Sequence, residues 1–421
     1  MKKILASLTI LIILMPIATS AFSFGDLMDA LTDLFAKIFG DNPKPTTTTT
    51  IKAATSTTST TLKSKTASTT TVKKTSDGKT DTDTSTVKST LTTRKLELKG
   101  VLVDDMDAVF DAGKKSLVLT TRDSSTKTGY FNIIDWNTQT LKKTLSAGAQ
   151  VVEAVDPVLV NSLDMYLAPT KSSLAFIKGD SILESIQLSG EPEKDVDLQL
   201  TSDEKLSVIP VMKAGNTIVD VIDVSAKSVK GSAPISGKLK VGVDCILTSD
   251  SRKAICMTDK SNSGVNVNFI NPSTASLMKD MSVDGSLVTD VDAALKSNDE
   301  ELVVFTNTRS RGLANIVEAK AMSIEKRIGL NGRLVESLDG RFLMDERYAF
   351  ACVNNAGFGY IELLDVTGKR KLASIKMSGA FVPGVDVIEL SNGFLLAATQ
   401  RAGNVFIDYV DVKNQIGRAH V

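Results

Sequence analysis

Gly237-Lys238-Leu239-Lys240-Val241-Gly242-Val243-Asp244-Cys245-Ile246-Leu247 decides how this chain folds, because its first glycine and its aspartate recur together along the sequence. A glycine that ends a polar-apolar alternating segment stands at Gly100, Gly148, Gly190, Gly237, Gly285, Gly332 and Gly379, at intervals of 48, 42, 47, 48, 47 and 47 residues. Seven residues later, or eight in the second copy, comes an aspartate: Asp107, Asp156, Asp197, Asp244, Asp292, Asp339 and Asp386. Val or Leu precedes it in six of the seven copies, and Met106 does so in the first. Two features locked in phase mark a repeat architecture, in which each unit buries its apolar faces against its neighbours.

The copy that starts at Gly237 shows what one unit contains. Val243 to Leu247 alternates as a strand, Ser249-Asp250-Ser251 is a tight turn, and Ala254 to Met257 is a second strand. After the loop Ser261 to Gly264, Val265 to Ile270 makes a third strand, Asn271-Pro272-Ser273 a turn, and Ser276 to Val283 a fourth. Four strands in such a repeat form one propeller blade. The expected fold is therefore all-β, a seven-bladed β-propeller with four-stranded antiparallel blades. Arg94 to Gly100 matches the fourth-strand segments of later copies, such as Lys371 to Gly379, while the final copy holds only three strands, ending with Asn404 to Val412. The segment Leu96 to Gly100 is thus expected to complete the last blade and close the ring, leaving no open edge.

Tyr130 to Thr138, Thr217 to Val224 and Tyr360 to Thr367 are similar to the third strand of YVTN and WD40-like propeller repeats, in which an aspartate and a small polar turn follow that strand. The resemblance covers roughly Lys95 to Val412. It implies a fold and no particular activity, since propellers host binding modules, lactonases, lyases and dehydrogenases alike. The second copy is shorter, the fifth has Lys320 where the aspartate would stand, and the Trp-Asp signature of WD40 units is absent.

The flanks are of another kind. Lys2, Lys3 and the apolar run Ile4 to Ala18, with small Thr19 and Ala21 before a cleavage point, read residues 1–21 as an export signal peptide. The run is too short for the roughly 20 residues that span a bilayer. Residues 22–42 place Leu27, Leu31, Leu34, Phe35, Ile38 and Phe39 on one face of a short amphipathic helix, opposite Asp26, Asp29 and Asp33. Residues 43–93 contain 22 threonines and almost nothing that builds a core, the composition of a disordered stalk, either O-glycosylated or bare. The propeller is expected over residues 94–414. Residues 415–421 read as an artefact: Ile416 to Val421 can be back-translated as ATCGGAAGAGCACACGTC, which resembles a sequencing adapter. His420, the single histidine, is then foreign to the protein.

The seven phased aspartates are the sharpest chemical feature. Turned toward the axis, their carboxylates would offer calcium a ring of oxygen ligands. The preferred reading is local, each carboxylate capping backbone N–H groups where the chain enters a strand. Cys245 and Cys256 flank one turn and are read as two small buried apolar residues, with a cross-strand disulfide as the alternative; Cys352 is read as core. Trp136, Tyr166, Arg309, Arg311, Tyr348 and Phe358 are candidates for a ligand surface in the loops.

Lysine plus arginine equals aspartate plus glutamate at 49 each, so no overall basic field points to nucleic acid. With His420 set aside, imidazole chemistry is excluded, and neither a glycine-rich phosphate loop nor a nucleophile elbow is present. The expectation is a secreted or cell-surface, monomeric and non-enzymatic module that binds a protein or a glycan. The enzymatic alternative is a lactonase-like hydrolase using carboxylate-bound calcium in the channel.

Overall fold

The computed structural model describes residues 95–102, 108–260, 264–343, 346–385, 387–390 and 393–419. The signal, helix and linker readings for residues 1–93 lie outside the described residues, as do Asp107, Asp386 and His420. Among the described residues no helix is long and apolar enough to cross a membrane.

The alternating segments form seven consecutive antiparallel sheets among the described residues. In the fourth, the strands are Ile246–Leu247, Ala254–Asp259, Val265–Asn271 and Ser276–Val283, paired strictly in chain order. The first strand of each sheet is short, and those of sheets one to four touch in succession, as do those of sheets five and six, which places first strands innermost. In sheets one to six the second and third strands are largely apolar on both faces because both are covered. In sheet six, Phe350, Cys352, Ile361 and Leu363 point toward sheet seven, while Ala349, Ala351, Val353 and Leu364 point toward sheet five. Six such apolar clusters join each sheet to the next. Burying each large side chain in them stabilises the fold by about 1.5–3 kcal/mol. Fourth strands form the outer rim and are exposed along much of their length, with a clear alternation in Ser228–Ile235.

The phased glycines lie on the straps that carry the chain from an outer fourth strand to the next inner strand. Residues just after them pair with the far end of the second strand: Val101 with Arg122, Lys238 with Asp259, Ser286 with Asn307, and Arg333 with Asn354. The strap passes so close that a side chain has no room. At Gly285, where φ is +98°, a Cβ would lie 2.6 Å from Thr306 Oγ1. A Cβ at Gly100, Gly190, Gly237, Gly332 or Gly379 would likewise come within 3 Å of the second strand. Gly148 departs from this rule, having nothing within 4 Å of its Cβ position. Gln150 O accepts the Lys171 N–H, as Val101 O accepts that of Arg122, so Ala149 occupies the strap position in sheet two. The eight-residue spacing there is a shift of one, and Asp156 follows Ala149 by the usual seven.

One expectation is corrected. Cys245 and Cys256 are not separate apolar residues: Ile246 pairs with Ile255, which sets the cysteines directly opposite, and a disulfide joins them across a Cα separation of 4.3 Å. The last described segment, Val412–Ala419, is a helix whose Ile416 packs on the cluster between sheets six and seven.

The contrast between the glycines is measurable. Gly285→Ala meets both a left-handed backbone and a steric overlap and should cost roughly 2–5 kcal/mol. Gly148→Ala meets only the backbone term, about 1–2 kcal/mol. Chemical denaturation of the two variants should rank them in that order, and equal losses would contradict the close-packed strap.

Candidate functional site

The described aspartates link into a chain around the axis. Asp156 Oδ1 accepts the N–H of Ala108 at 3.1 Å, Asp197 Oδ1 that of Asp156 at 2.8 Å, and Asp244 Oδ1 that of Asp197 at 2.6 Å. Asp292 Oδ1 then accepts from Asp244 N–H at 2.8 Å, and Asp339 Oδ1 from Asp292 N–H at 2.9 Å. Each carboxylate therefore caps a backbone donor of the preceding sheet rather than of its own. A second set of links runs beside the first through main chain alone: Asp195 N–H to Glu153 O, Gly242 N–H to Lys194 O, Asp290 N–H to Val241 O and Ser337 N–H to Thr289 O. Among the described residues no three His, Cys, Asp or Glu side chains are grouped to hold a metal ion.

Carboxylates crowded at a narrow axis resist ionisation. Burial pushes Asp244 up to about 8, with the charges of Asp292 and Asp197 adding to it. Burial likewise pushes Asp292 up to about 7 against the opposing hydrogen bond from Asp244 N–H, and raises Asp197. A protonated carboxyl still accepts through its carbonyl oxygen, so the links survive neutralisation.

A buried polar relay, invisible to the repeat search, holds the straps from beneath. Asn268 Nδ2 donates to Thr258 Oγ1 at 3.1 Å, and that hydroxyl donates to Ser236 O just before Gly237. Asn315, Thr306 and Asp284 O repeat the arrangement, as do Asn132, Thr121 and Lys99 O. Asp220, Glu362 and Asp408 take the Asn position in other sheets. A polar residue at the centre of an otherwise apolar third strand, recurring every 46 to 48 residues from Asp220 to Asp408, was the available signal.

The strap face carries two adjoining cavities. The larger, about 780 Å³, lies where Ser286 to Thr289, Asn307 to Arg309, Arg333 and Glu336 converge. The smaller, about 450 Å³, shares Arg333 and adds Ser310, Arg311, Asn331, Asn354 and Asn355. The loop candidates divide accordingly. Arg309 and Arg311 line the cavities, and Phe358 sits beneath Lys376 Nζ at 3.6 Å and the Arg401 guanidinium at 4.3 Å. Tyr166 and Tyr348 are buried, and Trp136 packs edge-on against Phe110 at 5.3 Å. These last three therefore contribute to packing.

No family model matches the chain, and none of the curated proteins does. Among solved structures, the Dos1 propeller superposes with a TM-score of 0.52 at 13% identity, over 73% of this chain and 85% of that one. The fold is a β-propeller. Two further matches are the hydrazine synthase of Kuenenia stuttgartiensis, with a TM-score of 0.47 at 14% identity over 75% of this chain and 99% of that one, and the dihydro-heme d1 dehydrogenase NirN in complex with DHE, with a TM-score of 0.47 at 12% identity over 65% and 57%. Identities this low speak to fold alone, so the chemistry of this propeller rests on its own residues.

The inner carboxylates make propeller stability pH-dependent. Between the ordinary aspartate value of 3.8 and the value of about 8 for Asp244, the folded state holds protons that the unfolded chain has released. Stability is therefore greatest at the acidic end of that window and falls as pH rises through it. Asp244→Asn keeps an oxygen for the Asp197 N–H but cannot ionise, so its melting temperature should vary less between pH 5 and pH 8.5 than that of the wild type. Parallel pH profiles would refute the raised value.

Proposed function

We propose that this chain is an exported binding module, a closed seven-bladed propeller displayed on a threonine-rich stalk, whose strap face engages a protein or a glycan. The observation that carries this reading is the pair of adjoining cavities on that face, whose combined size and polar lining suit ligand recognition. Their walls are rigid. Asn307 clamps the next strap through Leu334 N–H and O, and Asn354 does the same to Phe381. The Cys245–Cys256 disulfide agrees with folding in an oxidising compartment. A stalk of 51 residues gives an average reach of about 40 Å as a flexible chain.

Ring closure by the N-terminal segment has support from both ends of the sheet series. Sheet seven contributes three strands beside its strap, and Asn404–Asp411 is its outer edge among the described residues. Ile388, Ile407 and Tyr409 on this sheet are exposed, as are Val101, Leu102 and Phe110 at the start of sheet one. Lys95 to Leu98 form no strand in the structure, yet they stand where a fourth strand precedes its strap. In sheets three to six the residue five before the glycine pairs with the polar centre of the third strand: Ser232 with Asp220, Asp280 with Asn268, Arg327 with Asn315, and Ser374 with Glu362. The same rule pairs Lys95 with Asp408, which are opposite charges.

Two measurements test these readings. Hydrogen exchange should show the amides of Lys95 to Leu98 protected to the level of other fourth strands, and rapid exchange there would argue for an open ring. Surface plasmon resonance with the mature chain should give saturable binding to isolated envelope polysaccharide or solubilised envelope protein. Ser310→Trp on the strap face should weaken it at least tenfold, and Asn137→Trp on the opposite face should not. Absence of saturable binding, or equal loss from both variants, would count against a strap-face binding module.

A further inference from the structure

We propose that the strap face of blades five and six binds acidic polysaccharide, with Arg309, Arg311 and Arg333 receiving its carboxylate or sulfate groups; this inference rests on the binding-module reading and names its ligand class.

The three arginines are set apart by standing together at the two cavities and by how firmly they are held. Arg327, Arg347 and Arg370, in the same two blades, pair with Asp284 or Asp365. Arg309, Arg311 and Arg333 are exposed and make no ion pair among the described residues. Their backbones are nonetheless fixed. Thr308 N–H and Oγ1 both donate to Arg311 O at 2.8 Å, and Arg311 N–H donates to Thr308 Oγ1 at 3.1 Å, closing a tight turn that presents Arg309 and Arg311 together. Arg333 pairs with Asn354 in the strap. The Arg311 guanidinium lies over Gly329, where a Cβ would come 2.7 Å from Nη1. Glycine at this strand position leaves the guanidinium its seat.

A guanidinium fork matches carboxylate and sulfate oxygens two at a time. Between the forks the walls are hydroxyls and amides, Thr308, Ser310, Asn331 and Asn355, which suit a hydroxyl-rich chain running from one cavity to the other. The Asn355↔Phe358 hairpin pair extends the strip toward Lys376 and Arg401. A continuous phosphate backbone is the poorer fit. The chain has no net positive charge, and Asp284 and Glu336 stand at the rim of the larger cavity.

Calorimetry on the mature chain should detect binding of polygalacturonate oligomers or heparin and none of dextran. The affinity should fall about tenfold or more between 50 and 200 mM salt, as expected when three cations release counterions. The triple variant Arg309→Ala, Arg311→Ala, Arg333→Ala should lose at least tenfold in affinity and keep its melting temperature, since exposed unpaired side chains contribute little to stability. Gly329→Ala retains every charge but unseats Arg311, and should weaken binding partway. The inference is overturned if neither polyanion binds, if dextran binds as well, if the triple variant binds like the wild type, or if single-stranded DNA binds as tightly as the glycans. Binding of a neutral glycan or an envelope protein that Ser310→Trp blocks but the triple variant does not would discard this ligand class while leaving the binding module standing.

Discussion

The inner link, a carboxylate of one blade accepting the aspartate N–H of the blade before it, is the interaction on which the rest of the propeller depends. Where a strap turns into the innermost strand, its backbone donors face the axis and have no ladder partner in their own sheet. An unsatisfied buried donor costs about 1–3 kcal/mol. Asp244, Asp292 and Asp339 each meet this cost for a part-buried donor of a neighbour, Asp197 caps the more exposed Asp156 N–H in the same way, and parallel main-chain links at Asp195, Gly242, Asp290 and Ser337 reinforce the junction. Because donor and acceptor belong to different blades, the spacing between blades is set by hydrogen-bond length as well as by the apolar clusters farther out. That is why the aspartate recurs in phase, and why its recurrence does not imply a ligand.

Every other periodic feature keeps the strap in register with that link. The glycine lets the strap approach the second strand, and the Asn–Thr relay binds the strap carbonyl from below. Asp259, Asn307 and Asn354, at the ends of second strands, reach forward to the next strap at Leu287, Leu334 and Phe381. A third belt runs on the opposite face, where Ser162, Ser202 and Ser249 N–H groups donate to Glu204, Ser251 and Asp299 of the following blade. The apolar clusters supply most of the stabilisation, but they are non-directional. Directional polar belts at both rims convert a stack of sheets into one geometry.

The fold was legible because both period and phase survive in the sequence; between Gly237 and Val283 the fourth strand falls as expected, while the first is shorter, at Ile246–Leu247, and the second runs on to Asp259. What failed did so for local reasons. Gly148 looked like the second strap glycine, whereas contact geometry assigns that place to Ala149; a conformational signal, φ of +68°, sits one residue from the steric one. Cys245 and Cys256 were separable only by register, which a turn of uncertain length blurs. Asp156, Asp197, Asp244, Asp292 and Asp339 each cap a backbone N–H, and no single-blade pattern reveals that the capped N–H lies 41 to 48 residues away in sequence. The candidate site was less legible still, since two arginines in one hairpin and a third in the next strap come together only once the blades are stacked.

The same division of labour would let the proposed ligand face on blades five and six change without loosening the packing between blades. Around Arg309, Arg311 and Arg333 the backbone obligations are met by others: Thr308 closes the hairpin, Asn307 clamps the strap, and Asn354 fixes the next one. The arginine side chains are thus relieved of structural duty. Arg122, on the equivalent edge of blade one, is in the opposite situation, committed to Glu153 across the junction to blade two. Its substitution would disturb packing, whereas Arg309, Arg311 and Arg333, which make no ion pair among the described residues, can change while belts and clusters hold. A repeat protein whose invariant positions all serve the frame leaves its variable loop and strap positions as the place where specificity is written.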